Sequence, residues 1–144
     1  MHRASRLAVI VALAAPCVVA CKQTSDDGPE CEVDSDCGNL ICARPGECLP
    51  ANKVRDVTLV WTIDGAAAGA QSCVPIPNLM VRFDGFDFND ELSFVPVPCD
   101  QGRFHVDKLP TRFVSAQLGI DGRGYVNAAR IDDDTGMAAF DLVP

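Results

Sequence analysis

From residue 57 onward the chain alternates apolar and polar side chains in short runs broken by Gly and Asp. Val57, Leu59, Trp61 and Ile63 share one face, with Thr58 and Thr62 on the other, which is the period of a strand. Gly65–Gly69 breaks that run. Leu79 to Phe83 predicts a second strand, ended by Asp84-Gly85. Leu92 to Val97 predicts a third, and Pro96 and Pro98 put it at a sheet edge because proline has no N–H for a ladder. After Asp100-Gln101-Gly102 comes a fourth strand from Arg103 to Val106. Arg112–Ile120, Tyr125–Ile131 and Ala138–Val143 complete the set, separated by Asp/Gly turns. The pattern predicts about seven short strands and no helix. A half-apolar sheet of this size needs a second layer, so the fold class expected for residues 54–144 is an all-β sandwich, with Trp61 and the phenylalanines as its core.

The N-terminal residues read differently. Met1–Arg6 carries two arginines and no acid, and Leu7–Ala20 is a 14-residue stretch that is apolar apart from Pro16 and Cys17. That is too short for a membrane-spanning helix and suits the apolar region of a signal peptide. It ends in Val18-Val19-Ala20-Cys21, which resembles the bacterial lipoprotein signal [LVI]-x-[AGS]-C. The resemblance implies cleavage of residues 1–20, diacylglycerol on the Cys21 thiol and acylation of the new amine. It also implies a membrane partner reached through N-terminal lipid. Lys22, in place of Asp, points by the enteric sorting rule to the outer membrane of the cell envelope. The competing reading is an ordinary cleaved signal with Cys21 a plain thiol.

Cysteine number bears on that choice. Eight cysteines are encoded. Cys17 leaves with the signal and lipid takes Cys21. Cys31, Cys37, Cys42, Cys48, Cys73 and Cys99 remain, an even set that implies a disulfide framework in an exported chain. An unlipidated Cys21 would leave one thiol over.

Residues 21–30 hold only polar residues, Gly and Pro after Cys21, so they predict a disordered tether reaching at most about 30 Å. Residues 31–49 form a four-cysteine module with spacing C-x5-C-x4-C-x5-C. So short a segment has no core of its own and needs disulfides, in any of three pairings. Zinc is the rival reading, but the spacing lacks the close cysteine pairs zinc sites favour and no His is present. Asp34 and Asp36 read as turn formers rather than calcium ligands. Through Cys31, Asp34, Asp36, Cys37, Cys42 and Cys48 the module resembles the "C…DsDC…C…C" modules of predicted myxobacterial lipoproteins, themselves similar to Dickkopf-type and whey-acidic-protein repeats. It lacks the adjacent cysteines that protease inhibition would require. Leu49–Asp56 reads as a linker.

In the sandwich, Cys73 and Cys99 are the only cysteines and are expected to pair, at roughly 3 kcal/mol in the chain-entropy model. The run Val-Pro-Cys99-Asp-Gln-Gly-Arg-Phe104…Leu109-Pro110 resembles the C-x-x-G-x-F…L-P corner of transthyretin-like and carboxypeptidase-regulatory-like domains. That implies an Ig-like or transthyretin-like sandwich, with Thr111 departing from the usual Gly.

Charge excludes some partners. Without residues 1–20 the chain has ten Lys+Arg against 20 Asp+Glu, net −10, which disfavours nucleic acid. No catalytic motif is present, His105 reads as an exposed strand residue, and no cofactor is implied. Two acidic clusters, Asp84 with Asp87 and Asp90, and Asp132-Asp133-Asp134, are calcium candidates that read better as solvated turns. Phe86 and Phe88 beside them are candidates for an exposed aromatic patch, but core packing or edge cover is the commoner fate of such residues. The function expected is therefore a non-enzymatic, lipid-anchored envelope protein with a protein or glycan partner or a structural role. The alternative is a calcium-dependent carbohydrate-binding module or a small hydrolase using the acidic loops.

Overall fold

The computed structural model describes residues 29–87 and 89–144. The signal segment, Cys21, most of the tether and Phe88 lie outside the described residues.

Two disulfides, Cys31–Cys42 and Cys37–Cys48, interleave to hold the first unit together. Between them run a 3-10 turn, Asp34–Cys37, and two short antiparallel strands, β1 (Ile41–Cys42) and β2 (Cys48–Leu49). Val33 and Leu40 face solvent, and only Cys31, Cys42 and Ala43 are buried in this unit. Covalent bonds therefore do the work that a core would do in a larger domain.

The stretch expected as a linker is ordered instead. β2 ends at Leu49, Ala51–Lys53 makes a 3-10 turn, and β3 (Val54–Ile63) begins at once. Val54 and Arg55 already pair with Pro110 and Leu109, and a bulge between Arg55 and Val57 shifts the register. That bulge, with polar Arg55 and Asp56, hides the alternation that would have announced the strand earlier.

The remaining strands are β4 (Ala66–Ala67), β5 (Asn78–Gly85), β6 (Glu91–Pro98), β7 (Arg103–Pro110), β8 (Phe113–Ile120), β9 (Gly124–Arg130) and β10 (Met137–Leu142). The described chain is all-β apart from 3-10 turns. In one sheet β3 lies between β10 and β7, parallel to the first and antiparallel to the second, and β4 folds back on the end of β3. The other sheet has the order β6-β5-β8-β9, antiparallel throughout. The chain crosses repeatedly between the sheets, so each sheet mixes early and late strands.

The two sheets enclose one core in a sandwich-like body. Val57, Leu59, Trp61 and Ile63 of β3 meet Leu79, Val81 and Phe83 of β5 and Ala116, Leu118 and Ile120 of β8. Phe94 closes one side by packing edge-on to Phe83 and against Phe104. Cys73–Cys99 ties the excursion after β4 to the turn after β6, with Ile76 buried beside it. The β3–β4 hairpin turns on Asp64-Gly65, both at positive φ (51° and 73°). This Asp-Gly pair is a recognised hairpin signal that the apolar pattern alone passes over.

Candidate functional site

The charged groups gather where the disulfide unit meets the β7–β8 corner. An open groove of ≈ 950 Å³ runs between them. Across it, Lys108 Nζ donates to Asp34 Oδ2 at 2.7 Å and Arg112 lies 2.6 Å from Glu47 Oε1. Arg44 pairs with Asp107, its Nε donating at 2.6 Å. Backbone bonds from Arg44 N to Lys108 O (3.2 Å) and from Thr111 N to Lys53 O (2.9 Å) complete the junction. The opposed charges neutralise one another across the groove, so their evident chemistry is to clasp two parts of the chain.

Lys108 and then the Cys42 amide hold the Asp34 carboxyl below the usual carboxylate value. Arg44 does the same for Asp107. Burial alone would lower the Arg112 pKa, but Glu47 and Asp90 together raise it. Asp36 accepts from the amides of Glu32 (3.0 Å) and Val33 (3.1 Å), which lower its pKa in that order. Asp34 and Asp36 thus serve as internal acceptors that shape the turn.

The sulfurs of Cys31, Cys37 and Cys42 lie within 4.8 Å of one another, a spacing a metal ion could use. Each is bonded in a disulfide, so none offers a thiolate.

The acidic clusters are mostly engaged. Asp132 Oδ1 accepts from Asp134 N, Thr135 N and the Thr135 hydroxyl, and the hydroxyl is the main cause of its lowered pKa. Asp133 bridges Arg55 and Arg130, each at 3.1 Å, and Arg55 is the first cause of its lowered pKa. Asp84 pairs with Arg82 at 2.9 Å and accepts from Gln117 at 2.8 Å. Two arginines beside Asp133 and one beside Asp84 oppose a bound cation electrostatically, so the geometry favours turn and sheet roles. Asp87 is exposed, and its carbonyl accepts from the Asp90 amide at 2.9 Å.

His105 lies exposed on β7, with its Nδ1 3.1 Å from Thr58 Oγ1. Phe86 is 76% exposed at the start of the β5–β6 loop. Sequence reasoning did not anticipate Arg112. It reaches Glu47 and also Asp90 (3.0 Å), and its guanidinium lies 5.1 Å from the centre of the Phe113 ring. Nor did it anticipate Tyr125, whose ring lies 4.7 Å from the Arg82 guanidinium on the outer face of the second sheet. The contacts of Arg112 with Glu47 and Asp90, and of Arg82 with Tyr125, join residues far apart in sequence and carry no local signal.

The chain matches no protein-family model, and neither a curated protein nor a solved structure is significantly similar to it. Fold and cysteines define its class as an all-β protein stapled by three disulfides among the described residues.

Proposed function

We propose that the protein is a non-enzymatic lipoprotein of the cell envelope, held at the outer membrane by lipid on Cys21. In this reading an Ig-like or transthyretin-like sandwich binds a protein or glycan partner or serves a structural role. The observation that carries it is the complete pairing of cysteines from residue 31 onward. With Cys17 discarded in the signal, Cys21 finds no disulfide partner among the described residues, and an apolar signal segment ending in Val-Val-Ala precedes it. Multiple acyl chains on one residue make a stable anchor, since each buried CH₂ contributes ~0.8 kcal/mol. Groups already paired with one another, as in the groove and the acidic turns, suit a scaffold better than a reactive centre.

Metabolic labelling with radioactive palmitate tests this. The wild-type chain should incorporate label and fractionate with membranes, and Cys21→Ala should do neither. Undiminished labelling of the variant would remove the anchoring claim.

A further inference from the structure

The two disulfides of the N-terminal unit lie against each other. The sulfurs of Cys31, Cys37 and Cys42 all fall within 4.8 Å of one another, so Cys37 Sγ, bonded to Cys48, sits that close to both sulfurs of the Cys31–Cys42 bond. The bonds differ in access. Cys31 and Cys42 are buried, at 5% and 9% exposure, whereas Cys37 and Cys48 are half-buried. Cys73 and Cys99 are shut away too, as members of the sandwich core. A thiol arriving from solvent therefore meets Cys37–Cys48 first. The junction that holds the unit to the sandwich body uses no sulfur: Asp34–Lys108, Arg44–Asp107 and Glu47–Arg112 span it.

We propose that Cys37–Cys48 is a thiol–disulfide exchange site for a small dithiol, and that Cys37 relays the exchange to the buried Cys31–Cys42 bond. One thiolate of the dithiol attacks a sulfur of Cys37–Cys48, forming a mixed disulfide and expelling the other cysteine as a thiolate. The second thiol of the reagent then closes the reagent's own disulfide and releases the protein sulfur. The dithiol is oxidised, and two electrons and two protons pass to Cys37 and Cys48. With the ion pairs still holding the unit in place, the Cys37 thiolate attacks the neighbouring bond, joins one of its sulfurs and expels the other, which takes up a proton. That second step exchanges one disulfide for another with no net oxidation, and it moves a free thiol from the surface to the interior. Charge selects the reagent. Glu30 Oε2 accepts from Cys48 N at 3.0 Å and Asp36 directly precedes Cys37, so carboxylates flank the outer bond. Neither has an ion pair among the described residues, whereas Asp34 and Glu47 do. Their field repels an anionic thiol and admits a neutral or cationic one. The inference holds with or without lipid on Cys21.

The test uses the purified full chain, its free thiols first blocked with N-ethylmaleimide, which also removes Cys21 from the chemistry. One equivalent of reductant is added, then deuterated N-ethylmaleimide, and labelled cysteines and disulfides are mapped by mass spectrometry. With a phosphine reductant at about pH 4, where little thiolate exists to exchange, label should sit on Cys37 and Cys48. With dithiothreitol at about pH 8, label should appear on Cys31 or Cys42, and Cys37 should be found bonded to the other of the two. In Cys37→Ser, dithiothreitol should label Cys31 and Cys42 about ten-fold more slowly or less, because the relay is gone and the bond is buried. Cysteamine should open the outer bond faster than glutathione at equal thiolate concentration. Label confined to Cys37 and Cys48 at the higher pH would overturn the relay, and this comparison needs only the wild-type chain. First labelling of Cys31, Cys42, Cys73 or Cys99 at the lower pH would overturn the exchange site. Equal rates with cysteamine and glutathione would overturn the selection by charge.

Discussion

Trp61 lies in the core with its indole N–H donating to Cys99 O at 2.8 Å. The same residue thus fills space between the sheets and satisfies a carbonyl next to the Cys73–Cys99 bridge. Its burial was legible from the period-two run Val57–Ile63, because alternation is a property of neighbouring residues. Its hydrogen-bond partner was not, since Cys99 comes 38 positions later. Trp61→Phe should keep most of the apolar contact and lose the indole hydrogen bond, at a cost of ~0.5–1.5 kcal/mol, because the Cys99 carbonyl still accepts from Gly102 N at 3.2 Å. Urea unfolding should show a lower midpoint with an unchanged slope. A midpoint equal to wild type would mean that water or another donor replaces the indole. The aspartates teach a related lesson. Asp34, Asp36 and Asp132 looked like turn residues because of their type and spacing, and each accepts backbone amides in the folded chain. Phe86 ran the other way: an aromatic beside turn residues is more often covered, and only the loop geometry keeps this one in solvent.

Among the elements, β9 depends most on backbone fit. None of its residues is buried, so packing of its side chains holds it weakly and its ladder to β8 holds it more. At the bulge between Leu118 and Gly119 the two strands come close. A Cβ on Gly119 would lie 2.6 Å from Gly124 O and 2.9 Å from Tyr125 Cα, and backbone atoms cannot swing aside as a side-chain tip would. Gly119→Ala is therefore expected to cost ~1–3 kcal/mol as overpacking and to part β9 from β8. Hydrogen exchange should show amides of the β8–β9 ladder losing protection while β3 and β5 keep theirs. Uniform protection in the variant would show that the bulge relaxes without cost. Element identity was largely readable here. β3 and β10 alternate cleanly, and the prolines of β6 fit the edge position it occupies. The first residues of β3, Val54 to Asp56, and the β3–β4 hairpin were not readable from apolar alternation. One is masked by a bulge and charged residues, and the other is too short to alternate.

At the scale of the whole molecule, the disulfide unit is joined to the sandwich body chiefly by charge. Asp34–Lys108, Arg44–Asp107 and Glu47–Arg112 span the junction, with two backbone bonds beside them. Folded Asp34 and Asp107 have lowered pKa values, Asp34 through Lys108 and the Cys42 amide, Asp107 through Arg44. Groups shifted this way stabilise the fold above their unfolded pKa, near 3.8, and lose that contribution as pH falls through the lower folded value. Such partly exposed pairs are individually weak and sensitive to salt. Acidification from pH 6 to about pH 2, through and below the unfolded value near 3.8, should therefore loosen the junction before it disturbs the core. Exchange of the Cys42 and Arg44 amides should rise ahead of that of Leu59 and Val81, and Lys108→Met should reproduce much of the Cys42 effect at pH 6. Simultaneous loss of protection in both parts would show that they form one cooperative unit.

By itself the sequence determined the all-β class, the positions of most of the longer strands, much of the turn chemistry and an even set of cysteines downstream of Cys21. These follow from period, from backbone preference and from parity, all of which act between near neighbours or by simple number. Tertiary structure alone decided which of three pairings the four-cysteine unit adopts, the order of strands in each sheet, the charge clasp around Arg112 and the display of Phe86. Each of those depends on which distant residues meet in space, and no local pattern encodes that meeting.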